Sequence, residues 1–323
     1  MTGDPPETSG AASEPPPGSP QPAIPDPPDP PEPAPVPDDA DDTRGVHLRR
    51  LALHPVTLIA GGVLAAVALV AIGTQVNFGI GAAAAGAVIL LVAIVVWLIA
   101  SSQAQQDFFR AYAEGRGLTR LDGQSNLPPI TPLLSKGDRR YAEQRFDGVL
   151  PGGMDGSLCL YTYEEISRDS DGNKETTYVH YTIAMTQLPA TAAFMQELYC
   201  QRRFGFRFMD SAEDVFRKRQ RVEQESEAVD KSYEIFIGEH DEMNRARQIL
   251  SPTFLVWLEN HSPEAYAFEL CAGSLVCNVK GHKKSAPELD LLCQASAAVA
   301  RRMQEEAAEM IDPGSLGGPA PPP

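Results

Sequence analysis

Nowhere between Val56 and Ala100 does the chain carry an ionisable side chain, and residues 1–43 carry no lysine or arginine. The first absence excludes the intramembrane charges on which pumps and transporters usually rely. The second leaves the front of the chain without the cations that replace counterions around nucleic-acid phosphates. With 43 acidic against 27 basic residues and a net charge of −16, nucleic acid is not an expected partner. Catalytic signatures are missing as well: there is no CxxC, no HExxH, no GxSxG elbow and no GxxxxGKS/T phosphate loop. Catalytic residues therefore stay unassigned, and no cofactor or metal is predicted. Cys159, Cys200, Cys271, Cys277 and Cys293 are odd in number and scattered, unlike a disulfide framework or a zinc ribbon. They read as free, mostly buried thiols in a reducing compartment.

What fills the charge-free region is two apolar runs, 56–73 and 79–100, separated by the short link Thr74-Gln75-Val76-Asn77-Phe78. A hydrocarbon core of about 30 Å needs about 20 apolar residues in a helix, whose backbone groups satisfy one another where water is absent. Residues 44–100 thus predict a transmembrane hairpin, with helices over about 51–73 and 79–100. Arg44, Arg49 and Arg50 precede it; Arg110, Arg116, Arg120, Lys136, Arg139 and Arg140 follow; the link has no positive charge. The positive-inside rule then places both termini in the cytoplasm. A signal peptide is the competing reading of the first run, but that run begins some fifty residues in and a second follows at once. Small residues from Gly79 to Gly86 offer a face for close helix packing in lipid, and Trp97 sits near the predicted cytoplasmic boundary.

Residues 1–43 are rich in Pro, Asp and Glu and lack the apolar surface to offset chain entropy, so they predict a disordered acidic tail, and 312–323 a shorter one. Between them, 101–311 predicts one cytoplasmic α+β domain of antiparallel sheet packed with helices. Phe108, Phe109 and Tyr112 at helical spacing extend the second membrane helix into the cytosol, up to Gly115 and Gly117. Strands are predicted near 140–146, 157–166 and 176–188, then at 204–208, 233–237, 266–270 and 274–279. In the third of these, Val179, Tyr181, Ile183 and Met185 alternate with Tyr178, His180, Thr182 and Ala184, the pattern of a half-buried strand. Asp169-Ser170-Asp171-Gly172 resembles the middle of a calcium loop. It fails as an EF-hand, because the closing bidentate acid would fall on Tyr178, and it reads instead as a hairpin turn. Ser251-Pro252 predicts one helix start, and Ser285 with Glu288 a capping box opening the last helix, along which Leu289, Leu292, Ser296, Val299, Met303, Ala307 and Met310 recur at three-and-four spacing.

Arginine and phenylalanine interleave over 202–208, and 216–221 is basic. Arg202, Arg203, Arg207, Arg217, Lys218, Arg219 and Arg221 are candidate contacts to anionic lipid or another anion. A strand with phenylalanines inward and arginines paired to the acidic stretch 223–230 accounts for the same residues. Cys200 beside Arg202 and Arg203 has the surroundings of a thiolate, and His180 or His240 are candidates for an enzyme site assembled by folding. The leading expectation is a membrane-tethered interaction or scaffolding module, touching the bilayer and a protein partner or a second copy. The alternatives are a membrane-proximal enzyme or small-ligand receptor, and an anionic-lipid sensor.

The stretches Phe146-Asp147-Gly148-Val149-Leu150-Pro151-Gly152-Gly153, Ser251-Pro252-Thr253-Phe254-Leu255-Val256-Trp257-Leu258 and Ala267-Phe268-Glu269-Leu270 resemble a group of uncharacterised bacterial membrane proteins. In that group two hydrophobic helices precede a cytoplasmic domain of unknown function. The resemblance spans roughly residues 50–310 and implies a multi-pass protein of the bacterial inner membrane, with no catalytic assignment to transfer.

Overall fold

The computed structural model describes residues 78–168, 172–202, 219–224 and 227–311. The expected acidic tail, the first apolar helix at about 51–73, the expected strand at 204–208 and the tail 312–323 lie outside the described residues. What is described is an α+β architecture built on a nine-stranded sheet in which every pairing is antiparallel.

Helix α1, Phe78–Gly115, runs unbroken from the second apolar run into the domain. The chain then forms β1 (Thr119–Leu121), the short α2 (Pro132–Ser135), β2 (Arg139–Leu150), β3 (Met154–Arg168) and β4 (Lys174–Gln187). It continues through β5 (Glu197–Arg202), β6 (Gln220–Arg221), α3 (Glu227–Ser232), β7 (Tyr233–Ile237), α4 (Met243–Ile249) and α5 (Pro252–His261). The last elements are β8 (Ala267–Cys271), β9 (Ser274–Lys280) and α6 (Ala286–Ile311). The sheet order is β1-β2-β3-β4-β9-β8-β5-β7-β6.

Register explains the main core. Phe146, Leu158, Ala184, Cys277, Phe268, Cys200 and Ile235 lie opposite one another on successive strands, so one row of buried side chains crosses the sheet. Against this face α6 lays Leu289, Leu292, Ser296, Val299, Met303 and Ala307, the stripe predicted from three-and-four spacing, all buried. The turn between β2 and β3 presses on the same helix. A Cβ at Gly152 would come within 2.9 Å of Ala297 Cβ, and its φ of +95° belongs to glycine.

The half-buried alternation expected for β4 survives only around Tyr178, Val179 and His180, and Lys174 to Thr177 are exposed on both faces. Tyr181, Thr182, Ile183 and Ala184 are all buried, as are the residues from Leu158 to Tyr163 in β3. The reason is a second small core on the opposite face, where Leu127, Leu133 and Leu134 cover Tyr161, Tyr163, Tyr181 and Ile183. Pro-rich residues before α2 thus act as a lid on the sheet. Thr131 caps α2 by accepting the Leu134 N–H.

Both predicted helix starts are present. Ser251 Oγ accepts the Phe254 N–H, and Leu255 and Leu258 turn inward. At α6 the Ser285 hydroxyl donates to the Glu288 carboxylate at 2.7 Å, a side-chain link in place of the reciprocal backbone bonds expected. The hairpin joining β3 and β4 is paired out to Arg168 and Lys174, and the expected turn residues 169–171 lie outside the described residues.

Candidate functional site

Helix α1 meets two environments. Leu90 and Leu91 are each 63% exposed, and Ile94, Val95, Trp97, Leu98 and Ile99 are exposed as well. Eight residues after Ala100 the same helix is core: Phe108, Phe109 and Tyr112 are fully buried. Phe109 packs at 5.1 Å on Phe108 and 5.7 Å on Phe146, and Tyr112 meets Phe146 edge-on at 6.1 Å. Beyond the rings, Tyr112 donates a hydrogen bond of 2.9 Å to Asp290 on α6, and Arg116 grips the same carboxylate through two nitrogens. One candidate membrane-spanning helix is present among the described residues, Ile89–Gly115.

A polar constellation lies on the α6 face of the sheet, midway along β3 and β4. Buried Thr162 on β3 sits at its centre, opposite His180 on β4. Its hydroxyl donates to Glu143 Oε1 at 2.8 Å and lies 2.9 Å from His180 Nδ1 and 3.2 Å from His282 Nε2. The imidazole rings are 4.6 Å apart.

Two backbone devices assemble this group. Strict alternation from Phe146 would turn Glu143 to the opposite face, but the β2–β3 register shifts between Ala142 and Gln144, leaving Glu143 as the extra residue of a β-bulge. The bulge carries the carboxylate round to the histidines. After β9, Gly281 adopts φ +84°, donates its N–H to the His180 carbonyl at 2.7 Å, and folds His282 back over the sheet. Thr182 fixes that corner by donating to the Gly281 carbonyl and accepting the Lys283 N–H. The His282 side chain is only 10% exposed, against 44% for His180 and 36% for Glu143. Burial lowers the His282 pKa, while Glu143 pulls it the other way. The donor atoms of Glu143, His180 and His282 lie within 4.8 Å of one another, the set that can hold a metal ion.

The structure brings His180 to this cluster but not the other sequence candidates. His240 is exposed in the turn after β7, and Cys200 is buried in the main core row, where burial pushes its thiol up and away from thiolate chemistry. The other four cysteines are also free, and all but Cys271 are buried. Of the basic candidates, Arg203, Arg207, Arg217 and Lys218 lie outside the described residues. Arg202 pairs with Glu259 at 3.2 Å, and Arg221 with Asp230 at 3.0 Å. Arg219 pairs with Glu197 at 2.7 Å while its guanidinium stacks 4.1 Å above the Tyr199 ring. These three charges are engaged within the domain.

Two clefts flank these elements. One, of about 580 Å³, runs between the α2 segment and β5 beside Arg219, Tyr199 and Cys271. Close to it Glu269 Oε2 accepts the Leu133 N–H at 3.0 Å; burial raises its carboxyl, outweighing that bond, a Thr131 contact and the nearby Lys136 and Arg219. The other, of about 670 Å³, opens at the β2–β3 turn, where Asp147 accepts from both Arg145 and Ser157.

The convergence of Glu143, Thr162 and His282 is invisible in the linear chain, since it depends on a bulge and on a corner after β9. Period-2 reading of β4 did place His180 beside Thr182 on one face. Compared with protein-family models, curated proteins and solved structures, the chain matches none, and its function is read from its own geometry.

Proposed function

We propose that this chain is a membrane-tethered interaction module whose α+β domain is held against the cytoplasmic face of a bacterial inner membrane to bind a protein partner or a second copy. The observation that carries this reading is the continuity of α1: exposed apolar residues up to Ile99 pass, without a break, into the buried Phe108, Phe109 and Tyr112. An apolar helix surface of that kind is at home in lipid, and a ring cluster of that kind belongs to a folded core. Clamped by Asp290, the helix positions the domain instead of leashing it. The neighbouring apolar run at 56–73 completes the proposed hairpin, and the flanking arginines favour cytoplasmic termini.

Crosslinking mass spectrometry on native membranes tests the interaction. Reproducible crosslinks from the domain to one partner, or between copies, are expected, and neither would sink the proposal. Topology has a separate check. Gln75→Cys should react with an impermeant thiol reagent on intact cells and Ser19→Cys should not; labelling of the tail from outside refutes the cytoplasmic assignment.

A further inference from the structure

Polar groups in the two clefts satisfy one another, Arg219 with Glu197 and Tyr199, and Asp147 with Arg145 and Ser157. The Glu143 cluster does not close in the same way. A carbonyl oxygen only accepts, so His282 Nε2, 3.2 Å from the Tyr161 carbonyl, carries that ring's hydrogen. In the neutral imidazole Nδ1 is then bare, and it lies 3.8 Å from Glu143 Oε2. That separation is beyond hydrogen-bond reach, and a lone pair facing a carboxylate is repelled unless a cation stands between them. His180 differs: its Nδ1, 4.0 Å from Glu143 Oε1, donates to the Thr162 hydroxyl at 2.9 Å, since that hydroxyl gives its own proton to Glu143, and a metal would take this nitrogen in the other tautomer.

We propose that Glu143, His180 and His282 form a binding site for a divalent transition metal ion of the zinc class. Two imidazoles and one carboxylate suit zinc or iron(II), whereas magnesium and calcium prefer all-oxygen shells. Tetrahedral zinc with bonds of about 2.0 Å has ligand-to-ligand edges of about 3.3 Å. The observed separations of 3.8 and 4.0 Å therefore close by rotation of the more exposed members, Glu143 and His180. The surrounding contacts are those a metal site uses. The His282 Nε2–H to the Tyr161 carbonyl fixes the tautomer that presents Nδ1, and the Thr162 hydroxyl orients the carboxylate. Three protein ligands leave a position for water or a small molecule on the exposed side, next to His180. The missing HExxH and CxxC motifs therefore do not imply a metal-free protein: these ligands come from three separate segments.

The test is equilibrium dialysis of the full chain in detergent, without a histidine tag and stripped with chelator, against zinc chloride. One zinc per chain is expected, with affinity falling at least about a hundredfold in His180→Ala and about tenfold or more in Glu143→Gln. His240→Ala and His261→Ala, outside the cluster, should bind as the parent does. Because His180 is exposed, His180→Ala should keep the metal-free melting temperature of the parent, which separates loss of a ligand from loss of the fold. Cobalt(II) in place of zinc should give visible absorption bands that disappear in the same variant. No saturable binding at one equivalent, binding unchanged in His180→Ala and Glu143→Gln, or equal binding of calcium would each overturn the site.

Discussion

Replacing Phe109 by alanine asks whether α1 is part of the domain or merely attached to it. Phe109 is fully buried and packs on Phe108 and Phe146, so the substitution removes the ring from a core that cannot refill the space. Truncations of buried phenylalanine cost about 3–5 kcal/mol. Against a typical domain stability of about 5–15 kcal/mol, that is about a fifth of the whole or more. Val95, on the same helix but 44% exposed, supplies the control: Val95→Ala should change domain stability by less than about 0.5 kcal/mol. Both are measured by urea unfolding of the full chain in mild detergent, following Trp257 fluorescence in a Trp97→Phe background. A double-mutant cycle with Phe146→Ala should return about 0.5–1.5 kcal/mol of coupling for the ring pair. A shift below about 1 kcal/mol for Phe109→Ala, or equal shifts for the two helix positions, would refute the shared helix.

Gly281→Ala should lower stability by about 1–2 kcal/mol through its left-handed backbone alone, since an added Cβ would meet nothing within 4 Å; an unchanged melting temperature would remove Gly281 as the corner that places His282. Asp290→Ala should destabilise by about 1–3 kcal/mol by leaving Arg116 and Tyr112 without their acceptor. A thermal shift no larger than that of an exposed surface substitution would show that the clamp is idle. The raised Glu269 pKa has a defined sign. A carboxyl raised above its unfolded value of about 4.3 contributes stability that is complete below that value and is lost as pH rises through the folded one. Acidifying from pH 7 toward the unfolded value should therefore add a stabilising increment that Glu269→Gln, already neutral, lacks. Parallel pH profiles for parent and variant in chemical denaturation would contradict it.

Much of the framework was legible because it rests on local rules. Apolar length, the Ser251-Pro252 helix start, the stripe on α6 and the run Tyr233–Ile237 each announce themselves within a few residues. Phe108, Phe109 and Tyr112 could be placed on a helix by spacing, although their partners Phe146 and Asp290 could not be named. Strand alternation misled where the sheet is covered twice, because the lid of Leu127, Leu133 and Leu134 is a matter of long-range packing. The same limit hid the histidine cluster: a bulge changes the facing of Glu143 without leaving any mark in composition.

The unbroken passage of α1 from lipid-compatible surface to core makes the protein a lever. From Ala100 to Tyr112 a helix rises roughly 18 Å, with neither proline nor glycine between them to act as a hinge. With α1 in a bilayer, a tilt of about 20° carries the ring cluster sideways by about 6 Å, and the sheet must lean with it. Thinning the membrane or packing a partner against the span would then turn the domain as a rigid body, re-aiming whatever its outer surface presents. Bilayer thickness would then be a variable to which such a protein responds mechanically.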